Sequence, residues 1–202
     1  GMKEVELKKG FPEHYKWVGP SGASVEAGED YPLDLSPFMD RKKVLVTCGT
    51  QLAWAKENLI YQATQLAKAH PDCHFFVTRG VGGEPFQCEN LMENLSLVSY
   101  LPYKEYIPQM DYVIHHGGAG IFYQCIIYGK PALILPHDYD QFDYAVRGVE
   151  AGVALTANKE DTRAIGLAFE KLIAKENWPE LENLRQTAQS YHPTEILESE
   201  IQ

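Results

Sequence analysis

The 202-residue sequence predicts an α/β fold: an open, doubly wound, mostly parallel sheet of about six strands with helices on both faces. Two observations predict it. From Lys43 onward, short apolar runs alternate with longer amphipathic segments, as βα units require. Turn residues sit at the breaks, as in Gly49-Thr50, Arg79-Gly80 and Gly129-Lys130-Pro131.

Residues 44–48 read as the first strand, closed by Gly49-Thr50. Leu52, Leu59, Ala63, Leu66 and Ala67 share one face of a helix over 52–70, which Pro71 ends. The second strand covers 74–78. A Gly-rich loop at 80–83 and a polar stretch to Asn94 precede a third strand at 95–99. A fourth strand at 111–115 leads into a helix that begins near Ala119 and stops at Gly129. The fifth strand is 132–135, followed by a helix over 141–151 and a sixth strand at 153–155. Two helices, 159–174 and 178–190, complete the Rossmann-like pattern. Residues from about 10 to 40 carry Pro12, Pro20, Pro32 and Pro37 among four glycines and read as a linker, so the expected division is 1–42 and 43–202. Trp54, Met92, Met110 and Trp178 read as packing residues.

Composition excludes several functions. Eighteen basic against 28 acidic residues give a net charge of −10, so no general basic surface exists to attract nucleic acid or anionic lipid. No apolar run approaches the roughly 20 residues of a membrane helix. Cys48, Cys73, Cys88 and Cys125 form no CxxC pair, which suggests reduced thiols and a cytoplasmic setting.

An anionic ligand must therefore be held by local features, and His115-His116-Gly117-Gly118-Ala119-Gly120 supplies one where a strand turns into a helix. Its glycines admit a ligand close to the backbone, and the helix N-terminus carries about half a positive charge. The motif is neither GxGxxG nor a nucleoside-triphosphate P-loop. Its plainer reading is a tight turn. A second constellation, Asp140-Gln141, heads the next helix after the fifth strand; a carboxylate beside an amide suits vicinal hydroxyls, although for an isolated Asp at that place a helix N-cap is the better reading. No metal is expected at His115, His116, His137, Asp138 and Asp140, because one strand sends His115 and His116 to opposite faces.

These residues carry a resemblance. VLVTCGT at 44–50, TRG at 78–80, ENLSLVSYLP at 93–102, HHGGAG at 115–120, YGKPALILP at 128–136 and Asp140-Gln141 resemble the C-terminal domain of the two-domain, GT-B-fold nucleotide-sugar glycosyltransferases. That family includes UDP-glucuronosyl, plant secondary-metabolite and antibiotic-modifying enzymes. The 24-residue interval from His116 to Asp140, with Gln124 between, is the family's spacing, and Trp17-Val18-Gly19-Pro20 resembles its interdomain segment.

The resemblance implies a donor-binding domain for a hexosyl transfer from a UDP- or dTDP-linked sugar. It implies that His116, Gly117, Gly118, Ala119, Gly120 and Ile121 hold the diphosphate, with Gly49 and Thr50 assisting and Gln124 on the ribose. Tyr100, Leu101 and Tyr103 would face the base, Asp140 and Gln141 the donor sugar, and Arg79 is a further candidate for ribose or phosphate. Tyr100, Tyr103, Ile121 and Gln124 depart from the family's usual residues. It also implies no cofactor or metal, a catalytic base on an N-terminal domain, and a small-molecule, lipid or glycan acceptor bound there. A donor subunit of a split enzyme, a sugar-nucleotide epimerase and a non-catalytic binding module are the competing readings.

Overall fold

The computed structural model describes residues 1–6, 16–20, 32–49, 52–80, 85–192, 195–196 and 198–199. The strands are β1 (Lys42–Thr47), β2 (Cys73–Thr78), β3 (Cys88–Met92), β4 (Leu95–Val98), β5 (Tyr112–His115), β6 (Ala132–Ile134) and β7 (Ala154–Thr156). The helices are α1 (Lys56–Ala69), α2 (Tyr103–Tyr106), α3 (Ala119–Tyr128), α4 (Gln141–Glu150), α5 (Thr162–Ala174) and α6 (Pro179–Ser190). They build one sheet of order β3-β4-β2-β1-β5-β6-β7, parallel at every pairing except β3 with β4.

Alternation along each strand divides the core into two layers. Val44 and Val46 of β1, Phe75 and Val77 of β2, Ile114 of β5 and Leu133 of β6 face one layer with α1 and α5. Leu45, Phe76, Val113 and Ile134 face the other, with α3 and α6. Both faces being covered, these strands are mostly apolar; all six residues of β2 are buried, His74 and Thr78 among them. The helix ends follow local chemistry. Asp161 accepts from the Ala164 amide at 2.9 Å to start α5, and Gly129 closes α3.

Two elements differ from the expectation. The edge strand β3 is exposed along nearly its whole length, so it carries no apolar pattern to mark it; it is defined by its antiparallel pairing with β4. The one-turn helix α2 follows Pro102 in a stretch too short for periodicity. The described part of 1–42 is not uniformly a spacer. Met2 and Val5 are buried in the core, Glu6 pairs with Arg147 of α4 and accepts from the Tyr123 hydroxyl of α3 at 2.9 Å, and Phe38 packs on His74 and Phe76.

Sheet order places the topological switch at β1. The chain steps outward through β2 and β4 on one side and through β5, β6 and β7 on the other, so the loops leaving β1 and β5 part and open a crevice. Phe169 anchors α5 beneath this arrangement, fully buried with its ring centroid 5.0 Å from His70 and 5.6 Å from Phe75. Phe169→Ala is expected to cost about 3–5 kcal/mol of stability, read as a lower urea midpoint with an unchanged slope.

Candidate functional site

Four loops at the carboxyl ends of the strands converge on a cleft of about 400 Å³. Gly49 and Leu52 come from the loop after β1, and Tyr100 and Tyr103 from the connection after β4. His116, Gly118, Gly120 and Ile121 come from the β5–α3 turn, and Gln141 from the start of α4. Thr50 lies outside the described residues.

The β5–α3 turn is built around close approaches. A Cβ on Gly118 would lie 2.5 Å from His116 Nε2, so glycine there lets the imidazole fold back over the turn. Gly117 has φ +94°, and a Cβ there would come within 2.9 Å of the Gln141 carbonyl oxygen. The first bond of α3 runs from the Phe122 amide to the Gly118 carbonyl at 3.1 Å. The amides of Ala119, Gly120 and Ile121 precede that bond and have no partner among the described residues. A Cβ on Gly120 would meet nothing within 4 Å, so this turn faces open space.

The Gly117 amide behaves differently from its neighbours, donating to His115 Nδ1 at 3.0 Å. It is therefore engaged internally. The Gly49 amide is likewise engaged, donating to Thr47 Oγ1 at 3.1 Å. Thr47 Oγ1 also accepts from the Thr78 hydroxyl at 2.8 Å and lies 3.0 Å from the Tyr103 hydroxyl. These contacts tie the polar end of Tyr103 to the strand floor, and burial pushes its phenol up to about 12.

At the opposite rim, Gln141 Oε1 accepts from the amides of His137 at 2.9 Å and Asp138 at 3.1 Å. This commits the carbonyl of Gln141 to its own loop and fixes which way its amide points. Tyr139, at φ 42°, is the one non-glycine residue with positive φ among the described residues, and it directs the chain into Asp140. The Asp140 carboxylate is exposed and makes no capping hydrogen bond, so the cap reading of this residue fails.

His115 and His116 separate as strand alternation requires. His115 is fully buried, whereas His116 lines the cleft. Burial, with His137 adding to it, pushes His116 down to about 4 against a hydrogen bond to the Thr47 backbone and the pull of Asp140. The imidazole is thus neutral at physiological pH, and its Nδ1 is buried with no hydrogen-bond partner. Among the described residues no group of three or more His, Cys, Asp or Glu is arranged to hold a metal ion.

Several predicted residues lie elsewhere. Leu101 is 1% exposed and its side chain belongs to the core, so only its backbone could meet a ligand. Gln124 is buried in α3 and does not line the cleft; its Oε1 has no partner. Arg79 is exposed and pairs with Glu89 of β3 at 3.3 Å, away from the cleft lining. Trp54, read as packing, is 61% exposed beside the cleft residue Leu52, its ring 5.7 Å from that of His137 and 5.5 Å from Lys159 Nζ. Its neighbour Leu52 lay outside the quoted motifs, and Thr47 and Thr78 fell inside VLVTCGT and TRG without a role assigned to their hydroxyls; the signal that could have found these two is their position at the carboxyl ends of adjacent strands.

Burial holds three histidines neutral: His115 near 3, and His74 and His116 near 4. An unfolded histidine titrates near 6.5, so below that pH the unfolded chain binds protons the folded chain does not. Stability is expected to fall as pH drops from about 7 toward about 5, by up to about 1.4 kcal/mol per pH unit for each of these histidines. Urea midpoints across that range check this, and a flat profile would contradict it.

Comparison with known proteins agrees with this fold. Residues 82–201, more than half of the chain, match the family model described as Erythromycin biosynthesis protein CIII-like, C-terminal domain. The uncharacterized UDP-glucosyltransferase YdhE of Bacillus subtilis is 24% identical over 156 residues, covering 76% of this chain and 38% of the relative. The 3-alpha-mycarosylerythronolide B desosaminyl transferase of Saccharopolyspora erythraea is 29% identical over 121 residues, covering 57% and 28%. The solved structure of spinosyn rhamnosyltransferase SpnG with spinosyn aglycone aligns with a TM-score of 0.70 at 19% identity, over 98% of this chain and 55% of that one. SpnG with thymidine diphosphate aligns with a TM-score of 0.69 at 18% identity, over 81% and 46%. The chain thus spans under two fifths of these curated relatives and about half of the solved structure. With residues 82–201 matched, a stretch that runs from β3 to α6 and contains the β5–α3 turn, the chain belongs to the EryCIII-like C-terminal domain family of glycosyltransferases.

Proposed function

We propose that this domain binds the nucleoside-diphosphate sugar donor of a glycosyltransferase whose remaining part carries the acceptor site and the catalytic base. The observation that carries the reading is the unpaired start of α3. The Gly120 and Ile121 amides, which like that of Ala119 have no partner among the described residues, and the neutral His116 belong to the lining of a cleft rimmed by Gln141, in a protein of net charge −10. SpnG solved with thymidine diphosphate and the glycosyltransferase VinC solved with dTDP support the choice of ligand class.

In this reading the diphosphate lies over Gly118 to Ile121, with His116 donating one hydrogen bond from its protonated ring nitrogen. Tyr100 and Tyr103 border the base, and Asp140 with the amide group of Gln141 holds sugar hydroxyls, one accepting and the other donating. Transfer requires an acceptor oxygen to attack the anomeric carbon as the bond to the diphosphate breaks. The leaving group then gains negative charge, and amides fixed in place before the reaction stabilise it without a metal ion. No residue of this chain is assigned as the base. Leu101 contributes through its backbone alone, Gln124 only if its surroundings rearrange, and Arg79 only if it leaves Glu89.

A ligand that binds the folded chain alone raises its melting temperature. At a hundredfold excess over Kd the gain is about 2.7 kcal/mol, or roughly 5–10 °C for a domain of this size. Thermal shift with UDP, dTDP and GDP is expected to show this rise for at least one of them, and none at millimolar concentration would contradict the assignment. Asp140→Ala is expected to weaken a sugar nucleotide by roughly tenfold while leaving the free nucleoside diphosphate unchanged. Calorimetry with both ligands separates the two effects.

A further inference from the structure

His115 is fully buried at the end of β5, and an apolar side chain would fill that position without leaving a polar atom stranded. The imidazole does leave one. Its Nδ1 accepts the Gly117 amide at 3.0 Å, which places the ring proton on Nε2, and Nε2 is buried with no partner. Packing alone therefore does not explain a histidine here; an imidazole supplies an acceptor two residues ahead of itself, where the chain turns through φ +94°.

That acceptor acts on a peptide that decides how α3 begins. Gly117 is wedged against the Gln141 carbonyl and Ile134, and Gly118 follows it in extended conformation before the helix starts. Rotating the Gly117 peptide would release its amide from His115 and change the backbone angles that lead into Gly118, and with them the direction in which α3 starts. We infer that His115 is a positioning residue for the anion site: its Nδ1 holds the Gly117 peptide so that the following amides, from Ala119 to Ile121, are the groups presented to the cleft. This rests on the donor-site reading above. Burial holds the ring near 3, so its lone pair is available throughout the physiological range.

The hydrogen bond is directly observable. In the free, isotope-labelled 202-residue chain, a through-bond coupling between the Gly117 amide nitrogen and His115 Nδ1 is expected; its absence overturns the inference, whether or not any ligand binds. The functional arm compares His115→Leu, which removes the acceptor, with His115→Asn, whose Oδ1 lies near the position of Nδ1. Where wild-type chain binds UDP or dTDP, His115→Leu is expected to bind it at least roughly tenfold more weakly while retaining its affinity for uridine or thymidine, and His115→Asn to recover most of the loss. Equal diphosphate affinity in wild type and His115→Leu overturns the inference, as does an equal loss for nucleoside and nucleoside diphosphate. If His115→Leu fails to fold, the coupling and the His115→Asn affinity decide, and an Asn variant that folds but binds no better than tenfold below wild type counts against it. Failure of the wild-type chain to bind any nucleoside diphosphate, with the coupling present, sinks the donor site and leaves the hydrogen bond standing.

Discussion

A helix cannot satisfy its own first amides, and in this protein that constraint falls at the mouth of the sheet. Among the described residues the amides of Ala119, Gly120 and Ile121 are left without partners where β5 parts from β1, and no acidic residue in the first turn or side-chain cap offsets their partial positive charge. Everything around them serves to keep them so. Gly118 lets His116 fold over the turn, Gly117 passes beneath Gln141, and the bond to His115 removes the one amide of the turn that would otherwise compete.

This arrangement reconciles an acidic chain with an anionic ligand. A net charge of −10 repels anions at long range, so attraction must come from dipoles at contact distance. The side chains that line the cleft are neutral, among them histidine, tyrosine and glutamine; Asp140, next to Gln141 in sequence, is exposed and is not among the lining residues. The core serves the same end. Glu6, Tyr123 and Arg147 link the N-terminal segment to α3 and α4, the two helices whose starts form opposite walls of the cleft.

What could be read from the sequence follows from where side chains lie. Strands covered on both faces are largely apolar runs, and β1, β2, β4, β5 and β6 were legible for that reason, while the edge strand β7 was legible as a short apolar run after Gly152. The edge strand β3 was not, because its residues face solvent and only pairing with β4 defines it. Met2 and Val5 were read as part of a linker because their burial depends on partners far along the chain. In the site, the turn glycines, His116 and Gln141 were legible through spacing. The internal use of the Gly117 and Gly49 amides, the burial of Leu101 and Gln124, and the exposure of Trp54 were not, since each depends on packing between loops that sequence does not order.

The central claim is that two linked phosphates sit on the start of α3. Mapping amide chemical shifts during a titration with dTDP or UDP tests it most directly, because each backbone group reports separately. The account predicts the largest changes at Ala119, Gly120 and Ile121, with the His116 ring following and the Gly117 amide moving little. Saturating shifts confined to another part of the chain, with the start of α3 unmoved, would contradict it.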